Sequence, residues 1–219
     1  AAGTGAGGGV GRGGGRVGMA PAPVYGLGAD AVGPAAVTAI LAAKGRGRHM
    51  PPPVLGPSAR TVDGLATNVP AYARDLIEAF WPGPLTLVLL AQSSLMWDLG
   101  ETNGTVALRM PQDDTALKLL DQVGPMAVSS ANVSGQAPAQ TILVAAAQLG
   151  PAVSVYLDAG PCASGLPSTI LDCPRSGPVI LRAGALSAGR VQWVLAGVVL
   201  VQYGAAPAPR RSPRRAPHT

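Results

Sequence analysis

Twenty-one residues, Ala35–Leu55 (AAVTAILAAKGRGRHMPPPVL), join a helix, a cationic turn and a strand entrance with no spacer, and this limits the architectures open to the rest of the chain. Val37, Ile40 and Leu41 recur at three- and four-residue spacing, Pro34 suits a first turn and Lys44-Gly45 an ending, so a helix is predicted up to Lys44. Lys44, Arg46 and Arg48 then alternate along a glycine-punctuated turn, and Pro51–Pro53 forces an extended path into Val54. Such a turn can gather several cations around one anion. It also suits a solvated helix C-terminus, where the dipole favours positive charge.

Short strands and helices alternate through the remainder. Val24–Asp30 (VYGLGAD) reads as a strand breaking into a glycine-rich turn, and residues 56–69 read as a polar loop. Ala71–Phe80 is a helix with Leu76, Ile77 and Phe80 on one side, and Leu85–Ala91 is a buried strand. Thr105–Met110 alternates as a strand, Asp113–Val123 is a helix with Asp113 or Asp114 as cap and Ala116, Leu117 and Leu120 inward, and Met126–Val128 is extended. Ile142–Leu149 is helical, Val153–Asp158, Thr169–Asp172 and Val179–Arg182 are extended, and Ser187–Leu195 is a helix capped by Ser187. Interleaving of this kind predicts an α/β fold around a mostly buried mixed sheet. With 219 residues, 47% hydrophobic and 12% charged, one core and one domain are expected.

Charge narrows the partners. The net +5 belongs to the ends, because residues 21–200 hold 10 Lys and Arg against 11 Asp and Glu. The basic Pro/Arg-rich tail at 201–219 is expected to be disordered and to bind RNA weakly, without sequence preference. Residues 1–23, with ten glycines among the first 20, read as a flexible leader without the apolar core of a signal peptide. Gln192, Gly197 and Gln202 interrupt the apolar run Val191–Tyr203, which is too short for a bilayer; a cytoplasmic location and no membrane partner are expected. Cys162 and Cys173, with only His49 and His218 as companions, lack metal-ligand spacing, so reduced thiols and no metal site are expected.

Six blocks then follow in order: Lys44-Gly45-Arg46, Phe80–Thr86 (FWPGPLT), Thr105–Pro111 (TVALRMP), Ser130–Gly135 (SANVSG), Ser168-Thr169-Ile170 and Leu181–Ala185 (LRAGA). In order and spacing they resemble the YrdC/Sua5 family, the L-threonylcarbamoyladenylate synthases, over roughly residues 24–195. The resemblance is to the short YrdC type with an atypical or truncated N-terminus. It implies a YrdC-like domain over 24–200, with a twisted mixed sheet flanked by helices and a concave cationic cleft. It also implies a nucleotidyltransferase that converts L-threonine, bicarbonate or CO2 and ATP into threonylcarbamoyl-AMP and pyrophosphate, for t6A modification of tRNA through downstream threonylcarbamoyl transferase proteins. Mg2+ would arrive on the ATP phosphates rather than on side chains. Two anions must be brought together, a task for fixed cations and hydroxyl or backbone donors rather than for an acid/base pair.

Carried over residue by residue, the resemblance assigns Lys44 and Arg46 to the phosphates and the catalytic step, and Arg182 to the nucleotide. Thr105, Ser130 and Asn132 join Arg46 and Arg182 around ATP, while Arg109 takes the threonine carboxylate with a planar fork, helped by Ser168 and Tyr25. A hydroxyl in a turn is often only a local cap, and Asn132 is equally suited to fixing its own loop. Trp81–Pro84 reads as architecture.

The pattern departs from the family at its start. Met19–Pro23 replaces a PTDT-like segment, and Pro23, with neither hydroxyl nor N–H, occupies the position of a substrate-binding threonine. A bare sheet edge and impaired turnover are the expected consequences. Met50 and Leu55 also stand where many members have asparagine and histidine. Two other classes compete: an RNA-binding YrdC-like module with impaired catalysis, disfavoured by the slightly acidic folded part and a single Phe, and a carbamoyl-AMP-forming maturation domain, whose zinc fingers two cysteines cannot supply.

Overall fold

The computed structural model describes residues 15–19, 24–162, 166–174, 177–195, 197–198 and 201–202. Its first half holds β1 (Val17–Met19), β2 (Gly26–Asp30), α1 (Pro34–Lys44), β3 (Val54–Leu55), α2 (Thr61–Leu65), β4 (Ala66–Thr67), α3 (Ala71–Phe80) and β5 (Leu85–Ala91). The second half holds β6 (Thr105–Arg109), α4 (Asp114–Val123), β7 (Met126–Ser130), α5 (Ile142–Leu149), β8 (Val155–Tyr156), β9 (Thr169–Asp172), β10 (Val179–Arg182), α6 (Ala188–Val194) and β11 (Val201–Gln202). All strands join one mixed sheet in the order β11-β10-β9-β5-β6-β3-β7-β2-β1-β8, with β4 on the far end of β5.

Side-chain alternation divides the apolar residues between two faces. Ala127 of β7 joins a large core with Val37 and Ile40 of α1, Leu76 of α3, Leu149 of α5 and Val191 of α6. Its neighbours Met126 and Val128 point the other way, into a smaller cluster with Leu55 and with Ala116, Leu119 and Leu120 of α4. With Val62 and Leu65 of α2, five helices contribute to this core, and α4 covers only part of the opposite face. The stretch of that face over β5, β6, β9 and β10 is where the cleft opens.

The leader expected over 1–23 is corrected at Val17–Met19. These residues form β1, antiparallel to β2 through Val17↔Gly28 and parallel to β8 through Val17↔Val155. Val17 and Met19 are fully buried, so the edge of β2 is paired rather than bare. Both partners come from outside the glycine-rich stretch, which is why nothing local announced the strand. Pro23 and the rest of 20–23 lie outside the described residues. The supposed polar loop 56–69 contains α2 and β4, and α4 buries Leu119 rather than Leu117. At the other end β11 pairs with β10 beyond the boundary drawn at 200, whereas residues 203–219 lie outside the described residues.

Candidate functional site

One rung of the sheet forms the floor of the cleft. Arg182 on β10 pairs with Ile170 on β9, and Ile170 pairs with Thr86 on β5. One step beyond the pair Leu87↔Leu108, Thr86 reaches the level of Arg109 on β6, which pairs in turn with Leu55 on β3. Three strand spacings, roughly 14 Å, separate the two arginine backbones, a distance their long side chains can close from both ends. All five residues line a cleft of about 330 Å³, together with Arg46, Ser129, Ser130, Ser168 and Tyr25.

Arg182 owes its direction to an irregularity. Strict alternation would put it on the same face as Ile180, inside the large core. The register instead passes from Ile180↔Leu171 to Arg182↔Ile170, leaving Leu181 as an extra, half-exposed residue. This bulge turns the guanidinium over to the cleft. There it clasps the Ser168 carbonyl through Nε at 3.1 Å and Nη2 at 2.7 Å, and Nη2 also donates to Ser168 Oγ at 3.1 Å. Arg109 is buried and donates from Nε to the Gly83 carbonyl at 2.9 Å. Trp81–Pro84, read as architecture, therefore also supplies an acceptor for a site cation. Gly184 crowds against this floor, since a Cβ there would stand 2.3 Å from the Pro167 carbonyl oxygen.

The rim is made of two locked turns. Gly45 ends α1 with a left-handed φ of 61°, and the Arg46 N–H returns to the Leu41 carbonyl at 2.8 Å. Arg46 reaches Ser129 Oγ from Nη1 at 3.0 Å. Lys44 is 2% exposed and does not line the cleft. Its ammonium donates to the carbonyl of Ser130, to the Asn132 carbonyl at 2.6 Å and to Asn132 Oδ1 at 3.4 Å. Its own carbonyl accepts the Ser134 N–H at 3.1 Å. All three ammonium donors are thus committed to the loop behind the cleft. Asn132 is likewise occupied, donating from Nδ2 to Val133 O at 3.0 Å and Gln136 O at 2.9 Å.

Two further expected residues are placed differently from the rest. Thr105 shares a face of β6 with Arg109 but sits four residues away, roughly 13 Å along the strand. Its hydroxyl caps the Thr102 carbonyl at 2.7 Å, and it does not line the cleft. Tyr25 does line it, but its hydroxyl is spent on Asp158 Oδ1 at 3.1 Å and the Gly160 carbonyl at 2.9 Å. Sequence reasoning missed Ser129, which accepts from Arg46, and Thr86, whose Oγ1 lies 2.8 Å from Ser168 Oγ.

The electrostatics are one-sided. Among the described residues lining the cleft there are three arginines and no carboxylate. Burial, and secondly Arg182, lowers Arg109 to about 10; burial, and secondly Arg46, lowers Arg182. Burial, and secondly Arg46, lowers Lys44 to about 8. Buried and half-buried cations that depress one another's pKa make the hollow attractive to an anion. With hydroxyls from Thr86, Ser129, Ser130 and Ser168, the hollow suits phosphate and carboxylate groups side by side.

Residues 12–184 match the family profile Sua5_yciO_yrdC, described as "Telomere recombination". The chain belongs to the Sua5/YciO/YrdC family. Over 176 residues it is 57% identical to a Mycobacterium leprae protein named "Putative threonylcarbamoyl-AMP synthase", covering 80% of each chain. The Bacillus subtilis threonylcarbamoyl-AMP synthase is 36% identical over 184 residues, which span 83% of this chain and 53% of that relative. The fold superposes on Pyrococcus abyssi Sua5 complexed with L-threonine with a TM-score of 0.84 and 34% identity, over 88% of this chain and 57% of that one. As a Sua5/YciO/YrdC member the chain has the expected twisted mixed sheet flanked by helices.

Proposed function

We propose that the chain is an L-threonylcarbamoyladenylate synthase, acting on L-threonine, bicarbonate or CO2 and ATP. The observation that carries this reading is the cleft lined together by Arg46, Arg109 and Arg182, with no carboxylate among its described lining residues, in a chain whose relatives carry that name. Arg109 takes the threonine carboxylate, and Arg46 and Arg182 take the ATP phosphates. The threonine amine captures CO2 and releases a proton, giving a carbamate. A carbamate oxygen then bonds to the α-phosphorus as the bond to the bridging oxygen breaks, and pyrophosphate leaves. The arginines offset the repulsion between the two anions and stabilise charge building on the phosphate oxygens.

Lys44 serves this step by holding the Ser130–Asn132 loop, so its share in catalysis is indirect. The donor set does not fit a protein-held divalent ion: the cleft offers guanidinium groups and hydroxyls, and no cluster of three or more His, Cys, Asp or Glu exists among the described residues. Any Mg2+ would be carried by the triphosphate, and no step is assigned to it. On this reading the product passes to threonylcarbamoyl transferase proteins for t6A synthesis in the cytoplasm. No helix among the described residues is long and apolar enough to cross a membrane.

Pyrophosphate release by the purified protein tests the proposal, measured with ATP and bicarbonate, with and without threonine, and with the product identified by mass. Threonine-dependent release of pyrophosphate and threonylcarbamoyl-AMP is expected. Release that depends on carbamoyl phosphate instead would favour the maturation-domain reading. ATP binding without turnover would favour the impaired RNA-binding module.

A further inference from the structure

Thr86 is 1% exposed, lines the cleft and stands in the rung between Arg182 and Arg109, one strand from Arg109 and two from Arg182. Its Oγ1 and Ser168 Oγ are 2.8 Å apart. Arg182 can only donate, so its 3.1 Å contact makes Ser168 Oγ an acceptor there. One proton can lie between the two hydroxyl oxygens. The second hydroxyl proton of the pair has no acceptor among the described protein atoms, beside a cleft that the pair helps to form. An amino acid held by its carboxylate at Arg109, with a triphosphate between Arg46 and Arg182, must lie across Thr86.

The geometry points to Thr86 as a specificity-determining residue that, paired with Ser168, reads the β-hydroxyl of the amino-acid substrate. The inference rests on the threonine reading above and extends it to side-chain selection. The pair has one donor to offer and a spare lone pair on Thr86 Oγ1, the complement of an aliphatic alcohol. An amino acid with a methyl in place of that hydroxyl strands both groups in a largely buried floor, and discrimination of this kind is strong.

The test compares threonine with 2-aminobutyrate and valine as substrates in the presence of CO2 and ATP, in wild type, T86V, T86S, S168A and T86V/S168A, by kcat/KM for each amino acid. T86V should raise KM for threonine about tenfold, leave KM for ATP within about twofold and shrink the preference for threonine over 2-aminobutyrate by about tenfold. T86S should restore that preference. S168A should lose it to a similar extent, and T86V/S168A should lose little more, because the two hydroxyls act as a unit. An unchanged preference in T86V, a T86S variant no better than T86V, or additive losses in the double variant would overturn the inference while leaving the synthase reading intact. If T86V fails to fold, S168A carries the same readout. Wild type without threonine-dependent release would overturn both.

Discussion

The floor and the rim of the cleft fix their cations by different means. On the floor, Arg109 and Arg182 stand on strands, and their directions follow from register shared among β10, β9, β5 and β6. At the rim, Arg46 stands on a turn whose neighbour, the Ser130–Asn132 loop, is held by one buried ammonium. Register is distributed over many backbone hydrogen bonds, whereas the rim adds one buried charge to a few turn hydrogen bonds. The floor should therefore tolerate changes of pH that loosen the rim.

The largest effect should come from the floor. Arg109→Ala removes a cation that faces substrate and leaves the Gly83 carbonyl without that donor; kcat/KM for threonine should fall about 100-fold or more by steady-state kinetics. A loss under tenfold would break the idea that the floor carries the binding chemistry. Lys44→Met should follow, with kcat/KM down about tenfold and a lower Tm, since it removes hydrogen bonds to the loop rather than a contact to phosphate. A large fall in kcat with an unchanged Tm would place Lys44 at the phosphates instead.

A smaller, few-fold effect should appear with alkali. Burial and Arg46 lower the Lys44 ammonium to about 8, whereas Arg109 is lowered only to about 10. Lys44 is charged below that value and neutral above it. Wild-type kcat/KM should decline as pH rises through about 8, and the decline should be missing from Lys44→Met. The smallest effect should come from Asp98→Asn, which cuts the exposed Arg48–Asp98 pair at 2.6 Å beside the rim turn. Turnover should stay within about twofold of wild type and Tm within about 1 °C.

What the chain disclosed in advance was whatever depends on nearby residues. The bounds of β9 and β10 match the sequence reading, Asp113 caps α4 by accepting from the Ala116 N–H at 2.8 Å, and Ser187 caps α6. The motif residues Arg46, Ser130, Arg109, Ser168 and Arg182 meet in one cleft, Arg109 and Arg182 at the ends of β6 and β10, Ser168 just ahead of β9, and Ser130 at the end of β7, which runs opposite to β6. What escaped depends on partners distant in the chain. Val17–Met19 looks like the end of a glycine run until β2 and β8 enclose it. Thr86 passes for a strand residue until β9 brings Ser168 beside it across 82 positions. Lys44 carries the motif's charge, and only its burial reveals that carbonyl oxygens already occupy its donors.

The bulge at Leu181 has a genetic corollary. Removing that one codon would keep all three cleft arginines in the polypeptide, yet rotate Arg182 toward the apolar layer beside Ile180. Exchanging Leu181 for another amino acid leaves the residue count, and hence the aim of Arg182, as it was. Between Ile180 and Arg182 selection acts on spacing before it acts on identity, so an in-frame deletion there is a sharper lesion than any missense change at Leu181.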